Sequence, residues 1–224
     1  MASEVGFPDG VINIVLGTGK EMGEAIVSHP DVRKVAFTGS VVVWRAIGHI
    51  AADRIIPLTL ELGGKSANIV FDDADLDTAA TEAVKGFTLN AGQGCSAGTR
   101  VLLQRSVYDA FLDKLKKSVE AIVPDENLDP IITPAQFQRV QKSFKVAEED
   151  GARCLHGGAV AEGDGFYIQP TVYADVSNDM RIAQEELFGP VGVVIPVDTE
   201  EDAIRIANDS DSDSDSDYGL IGTA

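Results

Sequence analysis

Two side chains in this sequence have the types and settings that support covalent chemistry. Cys95 stands in Leu89-Asn90-Ala91-Gly92-Gln93-Gly94-Cys95-Ser96-Ala97-Gly98, where three glycines fall within seven positions. Glycine removes side-chain bulk and frees the backbone, so the sulfur is open to an electrophile, and a thiolate is an effective nucleophile toward a carbonyl. Upstream, Glu61 lies between two leucines in Leu60-Glu61-Leu62-Gly63-Gly64-Lys65-Ser66, at the end of a strand-like run. A carboxylate there is expected to be desolvated, which raises its basicity and suits it to activating water. On the residues alone, a strand-end carboxylate paired with Lys65 is the favoured reading of Glu61. Cys154, within Ala152-Arg153-Cys154-Leu155, reads as a small buried hydrophobe.

These groups need a scaffold, and the hydrophobic pattern supplies an α/β one. Residues 11–16, Val-Ile-Asn-Ile-Val-Leu, read as a buried strand, followed by a short helix over 20–28 that Pro30 ends. A strand at 34–37 runs into Thr38-Gly39-Ser40, a helix spans about 43–54, and Pro57-Leu58-Thr59-Leu60 is a third strand. The order β-α-β-α-β predicts a parallel sheet with crossover helices, half of a doubly wound nucleotide-binding domain. From Asp75, an N-cap, the apolar positions Leu76, Ala79, Ala80, Ala83, Val84 and Phe87 recur at helical steps and deliver the chain to Cys95. A strand at 100–104 precedes a helix over 107–122. Thr133-Pro134 starts another by N-cap and first-turn proline. Strands at 152–155, 166–176 and 191–197 then alternate with short helices near Met180 and Glu200, so the second half is also α/β.

Composition narrows the function classes. The chain has 224 residues, 44% of them apolar, which suffices for a sizeable core in one or two domains. Eighteen basic residues against thirty-six acidic ones give a formal charge of −18, which repels phosphate backbones and anionic lipid, so neither nucleic acid nor membrane is an expected partner. No basic and apolar leader opens the sequence and no run approaches a bilayer span, so a cytoplasmic location is expected. The two cysteines read as free thiols, with no paired spacing for a metal. His29, His49 and His156 stand in no catalytic spacing, and Trp44 reads as packing. The alternating serine-aspartate run from Asp209 to Asp217 is low-complexity sequence, expected as a solvated loop.

Four blocks in order, Phe37-Thr38-Gly39-Ser40, Leu60-Glu61-Leu62-Gly63-Gly64-Lys65-Ser66 with Asn68-Ile69-Val70, Asn90-Ala91-Gly92-Gln93-Gly94-Cys95, and Glu185-Glu186-Leu187-Phe188-Gly189-Pro190, closely resemble those of the NAD(P)-dependent aldehyde dehydrogenases. The resemblance runs through nearly the whole chain. It implies an aldehyde dehydrogenase-like α/β fold, with residues 1–62 as the C-terminal part of a dinucleotide-binding domain and 63–224 as an incomplete catalytic domain. It also implies an activity: oxidation of a small-molecule aldehyde to a carboxylate with NAD or NADP. Cys95 would form a thiohemiacetal that yields hydride to the nicotinamide and leaves a thioester, which water activated by Glu61 would hydrolyse. By the same likeness Gly39 and Ser40 would meet the cofactor pyrophosphate at a helix N-terminus, Glu186 would hold the nicotinamide ribose, Phe188 would pack on the cofactor, and the Leu62 carbonyl would lie near its carboxamide.

The sequence also departs from the family. Trp44 stands where a second glycine usually follows Ser40, the connection between Ile122 and Thr133 is short, and by the resemblance the family's first nucleotide-binding strands and its oligomerisation segment are expected to be missing from this sequence. A fragment of the enzyme is therefore expected, with a homo-oligomer as in the family still open. Two alternatives from other classes are a folded or partner-binding remnant without activity, and a thiol esterase that needs no cofactor.

Overall fold

The computed structural model describes residues 3–209. The chain divides into two compact units, Met1–Glu61 and Leu62–Ala224.

In the first unit, α1 (Glu24–Ser28) precedes β1 (Val35–Gly39), α2 (Val41–Arg54) and β2 (Leu58–Leu62), and β1 and β2 pair in a two-stranded sheet. Ser40 caps α2, its Oγ accepting from the Val43 amide at 3.4 Å. The Arg54 guanidinium donates to the carbonyls of Val27 and, at 2.9 Å, Val32, fastening the end of α2 to α1 and to the loop before β1. The strand expected at 11–16 is not formed. Those residues take no regular structure, and Ile14 and Leu16 are 84% and 88% exposed. An apolar run becomes a strand only where a ladder completes its hydrogen bonds, and the two-stranded sheet of this unit does not extend to it.

The second unit is built on a five-stranded sheet ordered β3-β4-β7-β6-β5, from β3 (Ala67–Val70), β4 (Arg100–Gln104), β5 (Arg153–His156), β6 (Thr171–Ala174) and β7 (Val191–Val197). The first four in that order are parallel, with Ala67 opposite Arg100 and Arg100 opposite Val193, and β5 closes the edge antiparallel to β6. Helices α3 (Leu76–Thr88), α4 (Tyr108–Glu120), α5 (Pro134–Glu149), α6 (Arg181–Gln184) and α7 (Glu200–Ala207) cover it.

Strand alternation sorts the core into two layers. Val101, Leu103 and Val194 pack with Ala80, Val84 and Phe87 of α3 and Phe111, Leu115 and Val119 of α4. Leu102, Val193 and Ile195 pack instead with Val140 and Ala147 of α5, Ile182 of α6 and Ala203 and Ile206 of α7. Each large apolar side chain so enclosed contributes roughly 1.5–3 kcal/mol. Strand β6 is shorter than the expected 166–176, and β3 had not been expected as a strand at all. Among the described residues no helix is long and apolar enough to cross a membrane. Positions 210–217 of the serine-aspartate run lie outside the described residues.

Candidate active site

The loop that carries Cys95 begins where α3 ends. The Asp75 carboxylate caps that helix, accepting from the Thr78 amide at 2.8 Å, and its buried face ends at Phe87 and Thr88. Asn90, Ala91 and Gly92 then adopt left-handed backbone in succession, with φ of 52°, 55° and 68°. For a residue with a Cβ this conformation costs roughly 1–2 kcal/mol, so the surroundings must enforce it. They do so at several points. Ala91 is 1% exposed, set into the core. At Gly92 a Cβ would lie 2.1 Å from the Gly189 carbonyl oxygen and 2.7 Å from that of Phe87, so only glycine fits.

The Gln93 side chain spans the loop and its neighbour. Its Nε2 donates to the carbonyls of Asn90 at 3.1 Å and Pro130 at 3.2 Å, while its Oε1 accepts from the Ile132 amide at 2.8 Å. A tight turn follows, closed by Ala97 N–H to the Gly94 carbonyl at 3.1 Å, and Gly98 returns to α3 by donating to the Gly86 carbonyl at 3.1 Å. Cys95 and Ser96 occupy the middle of that turn, and the Cys95 thiol is exposed. Of the glycines, Gly92 is required by crowding, whereas Gly94 borders open space. The thiol is thus presented by a loop anchored on both sides.

Glu61 departs from expectation. It is exposed, as is Thr59, while Leu58 and Leu60 are half-buried and Leu62 is buried. Successive strand residues point to opposite faces, so leucines at adjacent positions do not enclose the carboxylate between them. Immediately beyond, residues 62–67 are buried without interruption. A Cβ on Gly63 would lie 2.0 Å from the Glu186 Oε2, so that carboxylate is seated directly on the glycine backbone. Lys65 is 2% exposed, and its Nζ and the Ser66 Oγ are buried with no hydrogen-bond partner among the described residues. Burial, reinforced by the charge of Arg100, lowers the Lys65 pKa to about 7.

The segment with Glu186 and Phe188 is held by its backbone. Gln136 of α5 donates to the carbonyls of Leu187 at 2.5 Å and Phe188 at 3.0 Å, and Arg139 donates to that of Glu186 at 2.7 Å. Phe188 is half-buried with left-handed backbone, φ 54°, and the following Gly189 carbonyl is the group that abuts Gly92. Within the second unit, therefore, the Cys95 loop, the Gly63 backbone, Glu186 and Phe188 converge through two glycine contacts. In the first unit, Gly39 and Ser40 lead into the N-terminus of α2, and the Trp44 indole lies along the helix, its Nε1 3.7 Å from where a Gly48 Cβ would stand.

Cys154 is not the buried hydrophobe expected. It is exposed on the edge strand β5, its thiol donating to the His156 carbonyl at 3.4 Å. Both Arg153 and Cys154 are exposed on this edge strand, whose pairing with β6 is irregular between Cys154 and His156. Sequence reasoning also passed over Gln93, Gln136, Arg139 and Arg100. Arg100 is 2% exposed and binds the carbonyls of Lys65 at 2.7 Å, Ala207 at 2.9 Å, Ile206 at 3.0 Å and Asp209 at 3.3 Å, with Asn178 Oδ1 at 3.0 Å, so it ties β3 to the end of α7. The signal was present: an arginine opening an otherwise apolar strand must satisfy its donors inside.

Within the first unit, the start of α2 after Gly39 and Ser40 is the kind of helix N-terminus that suits a phosphate, and within the second, a carboxylate held against a bare glycine suits a hydroxyl donor.

A model of the aldehyde dehydrogenase family matches residues 1–222. An aldehyde dehydrogenase of Emericella nidulans is 44% identical over 98% of this chain, which covers 44% of that protein. The solved structure of a Mycobacterium tuberculosis aldehyde dehydrogenase complexed with NAD+ is 48% identical with a TM-score of 0.88, covering 93% of this chain and 44% of that one. An NAD+ complex of the Bacillus cereus aldehyde dehydrogenase is 43% identical with a TM-score of 0.88, over 92% of this chain and 43% of that one. The chain thus spans somewhat under half the length of the proteins it matches. At this identity and coverage, the chain belongs to the aldehyde dehydrogenase family.

Proposed function

We propose that this chain oxidises an aldehyde to the carboxylate with NAD or NADP, with Cys95 as nucleophile and Glu61 as general base. The observation that carries the reading is the exposed Cys95 thiol, held in a clamped left-handed loop that rests on the segment bearing Glu186 and Phe188. Residues 1–62 belong in this reading to the dinucleotide-binding part and 63–224 to the catalytic part.

The Cys95 thiolate adds to the aldehyde carbonyl, and the turn directs its own backbone N–H toward the oxyanion that forms. Collapse of the adduct leaves a thioester on Cys95. When bound, the nicotinamide serves as the two-electron acceptor for that collapse. Glu61, exposed and able to meet solvent, takes a proton from the water that cleaves the thioester, a contribution of roughly 10²–10⁴ in rate. For the cofactor, the amides at the N-terminus of α2 with Gly39 and Ser40 take the pyrophosphate, Glu186 accepts from the nicotinamide ribose, Phe188 packs on the ring, and the Leu62 carbonyl receives the carboxamide. The two free thiols and the formal charge of −18 suit a reducing, cytoplasmic setting.

The test mixes purified protein with NAD+ or NADP+ and a panel of aldehydes and follows absorbance of the reduced cofactor. Turnover that disappears in Cys95→Ala is expected. Turnover that survives in that variant contradicts the assignment.

A further inference from the structure

A cavity of about 290 Å³ lies between α5 and the segment 181–187, at the small end of the range for ligand pockets. Its floor is apolar, since Ile182 is 1% exposed and Leu187 4%. Its rim is cationic. Arg139, Lys142 and Arg181 all line it, three of the eighteen basic residues in a chain of formal charge −18. The one acidic residue of the lining, Glu185, is exposed. The three cations are committed differently. Arg181 is engaged by its neighbours, its Nη2 donating to Asp150 Oδ1 at 2.6 Å and to Glu149 Oε2 at 3.1 Å, so it serves as wall. Arg139 donates from Nη2 to the Glu186 carbonyl at 2.7 Å, a neutral acceptor that does not cancel its charge. The Lys142 ammonium has no hydrogen bond or ion pair among the described residues. Arg139 and Lys142 stand three positions apart on α5, hence side by side on one face, where like charges repel and an anion between them relieves the repulsion.

We propose that this cavity binds a small organic carboxylate, its oxygens held between Arg139 and Lys142 and its apolar body resting on Ile182 and Leu187. Charge-assisted bonds from a guanidinium and an ammonium suit the carboxylate, and the apolar floor favours an organic anion over an inorganic one. The inference goes beyond the proposed function. Carboxylates are the class that aldehyde oxidation releases, and none of the lining residues belongs to the Cys95 loop, so the cavity is a second position for the product class.

Calorimetric titration of the cofactor-free protein with sodium phenylacetate decides it. Binding is expected with a Kd on the order of 1 mM. Phenylacetamide, which keeps the body without the charge, and acetate, which keeps the charge without the body, are each expected to bind about tenfold more weakly or worse. Lys142→Gln removes one cation at an exposed position of α5 and is expected to weaken phenylacetate about tenfold. Ala135→Leu, at another exposed position of α5, adds bulk to the lining and is expected to abolish the binding heat. Circular dichroism and urea midpoints check that both variants fold, and should Ala135→Leu fail to fold, Lys142→Gln carries the same readout. Phenylacetate binding that survives both substitutions unchanged places the ligand elsewhere and overturns the inference. Equal affinity for phenylacetate and phenylacetamide, or a wild-type chain that takes up no phenylacetate, overturns it as well. The titration contains neither cofactor nor aldehyde, so a chain without aldehyde turnover contradicts the proposed function and leaves this result standing.

Discussion

The two thiols of this chain are both exposed, and they could hardly be built more differently. Cys154 lies on an antiparallel edge strand, where its thiol has one carbonyl partner and the neighbouring ion pair, Arg153 with Asp175, is itself half in water. Cys95 lies in a loop forced through three consecutive left-handed residues, closed against Gly189 on one side and α3 on the other, and braced across its base by Gln93. Accessibility is common to both. What separates them is how much of the surrounding structure is committed to the position of the sulfur, and strain kept in place by several independent contacts is characteristic of sites that act on a ligand.

The contrast predicts graded outcomes. The largest is chemical. Cys95→Ala should lower aldehyde turnover on the order of 10⁴-fold or more, while Cys154→Ala leaves kcat and KM within about twofold. Comparable losses in both would erase the distinction.

Next comes the backbone. Gly92→Ala puts a methyl into two carbonyl oxygens and should cost about 3 kcal/mol or more in denaturant unfolding. Gly158→Ala shares the positive φ but meets the Cys154 Sγ at 3.1 Å, a side-chain end that can move, and the Tyr173 hydroxyl at an ordinary contact distance of 3.6 Å, and should cost about 1 kcal/mol. Equal costs would mean that the clamp at Gly92 is not rigid.

Lys65, buried in the 62–67 segment, gives stability a pH dependence. Its folded pKa of about 7 lies below the ordinary lysine value of 10.5, so across that window the unfolded chain holds the extra proton and stability rises with pH. A single such group contributes a slope of up to about 1.4 kcal/mol per pH unit between those limits, and Lys65→Met should remove it. Urea midpoints measured from pH 7 to 10 test this, and identical slopes in variant and wild type would place the titration elsewhere. The smallest effect is at Gln93→Ala, where loss of the brace to Ile132 should cost about 1 kcal/mol and reduce turnover more than cofactor affinity. Arg153→Ala, on the Cys154 side, should stay within about 0.5 kcal/mol.

Much of the scaffold was legible because it follows local rules. Asp75 and the three-and-four spacing marked α3, and Thr133-Pro134 marked the start of α5. The glycine-rich setting correctly announced an accessible thiol at Cys95. What stayed hidden depends on tertiary neighbours. Nothing in Asn90-Ala91 signals left-handed backbone, since alanine disfavours it, and the brace from Gln93 to Ile132 joins residues far apart in sequence. Glu61 was misjudged because sequence adjacency was taken for spatial enclosure, although adjacent strand residues face opposite ways. Residues 11–16 were misjudged because apolar content alone says nothing of whether a partner strand is there. Lys65 gave a weak cue, a charged residue between small ones, and only the packing of 62–67 showed it buried.

The most direct measurement traps the covalent state: the protein is mixed with an activated ester or with aldehyde and NAD+, quenched in acid, and mapped by peptide mass spectrometry. The acyl mass is expected on the peptide carrying Cys95, with the peptide carrying Cys154 unmodified. An acyl group on Cys154 or another side chain, with Cys95 recovered as free thiol, would contradict the assignment.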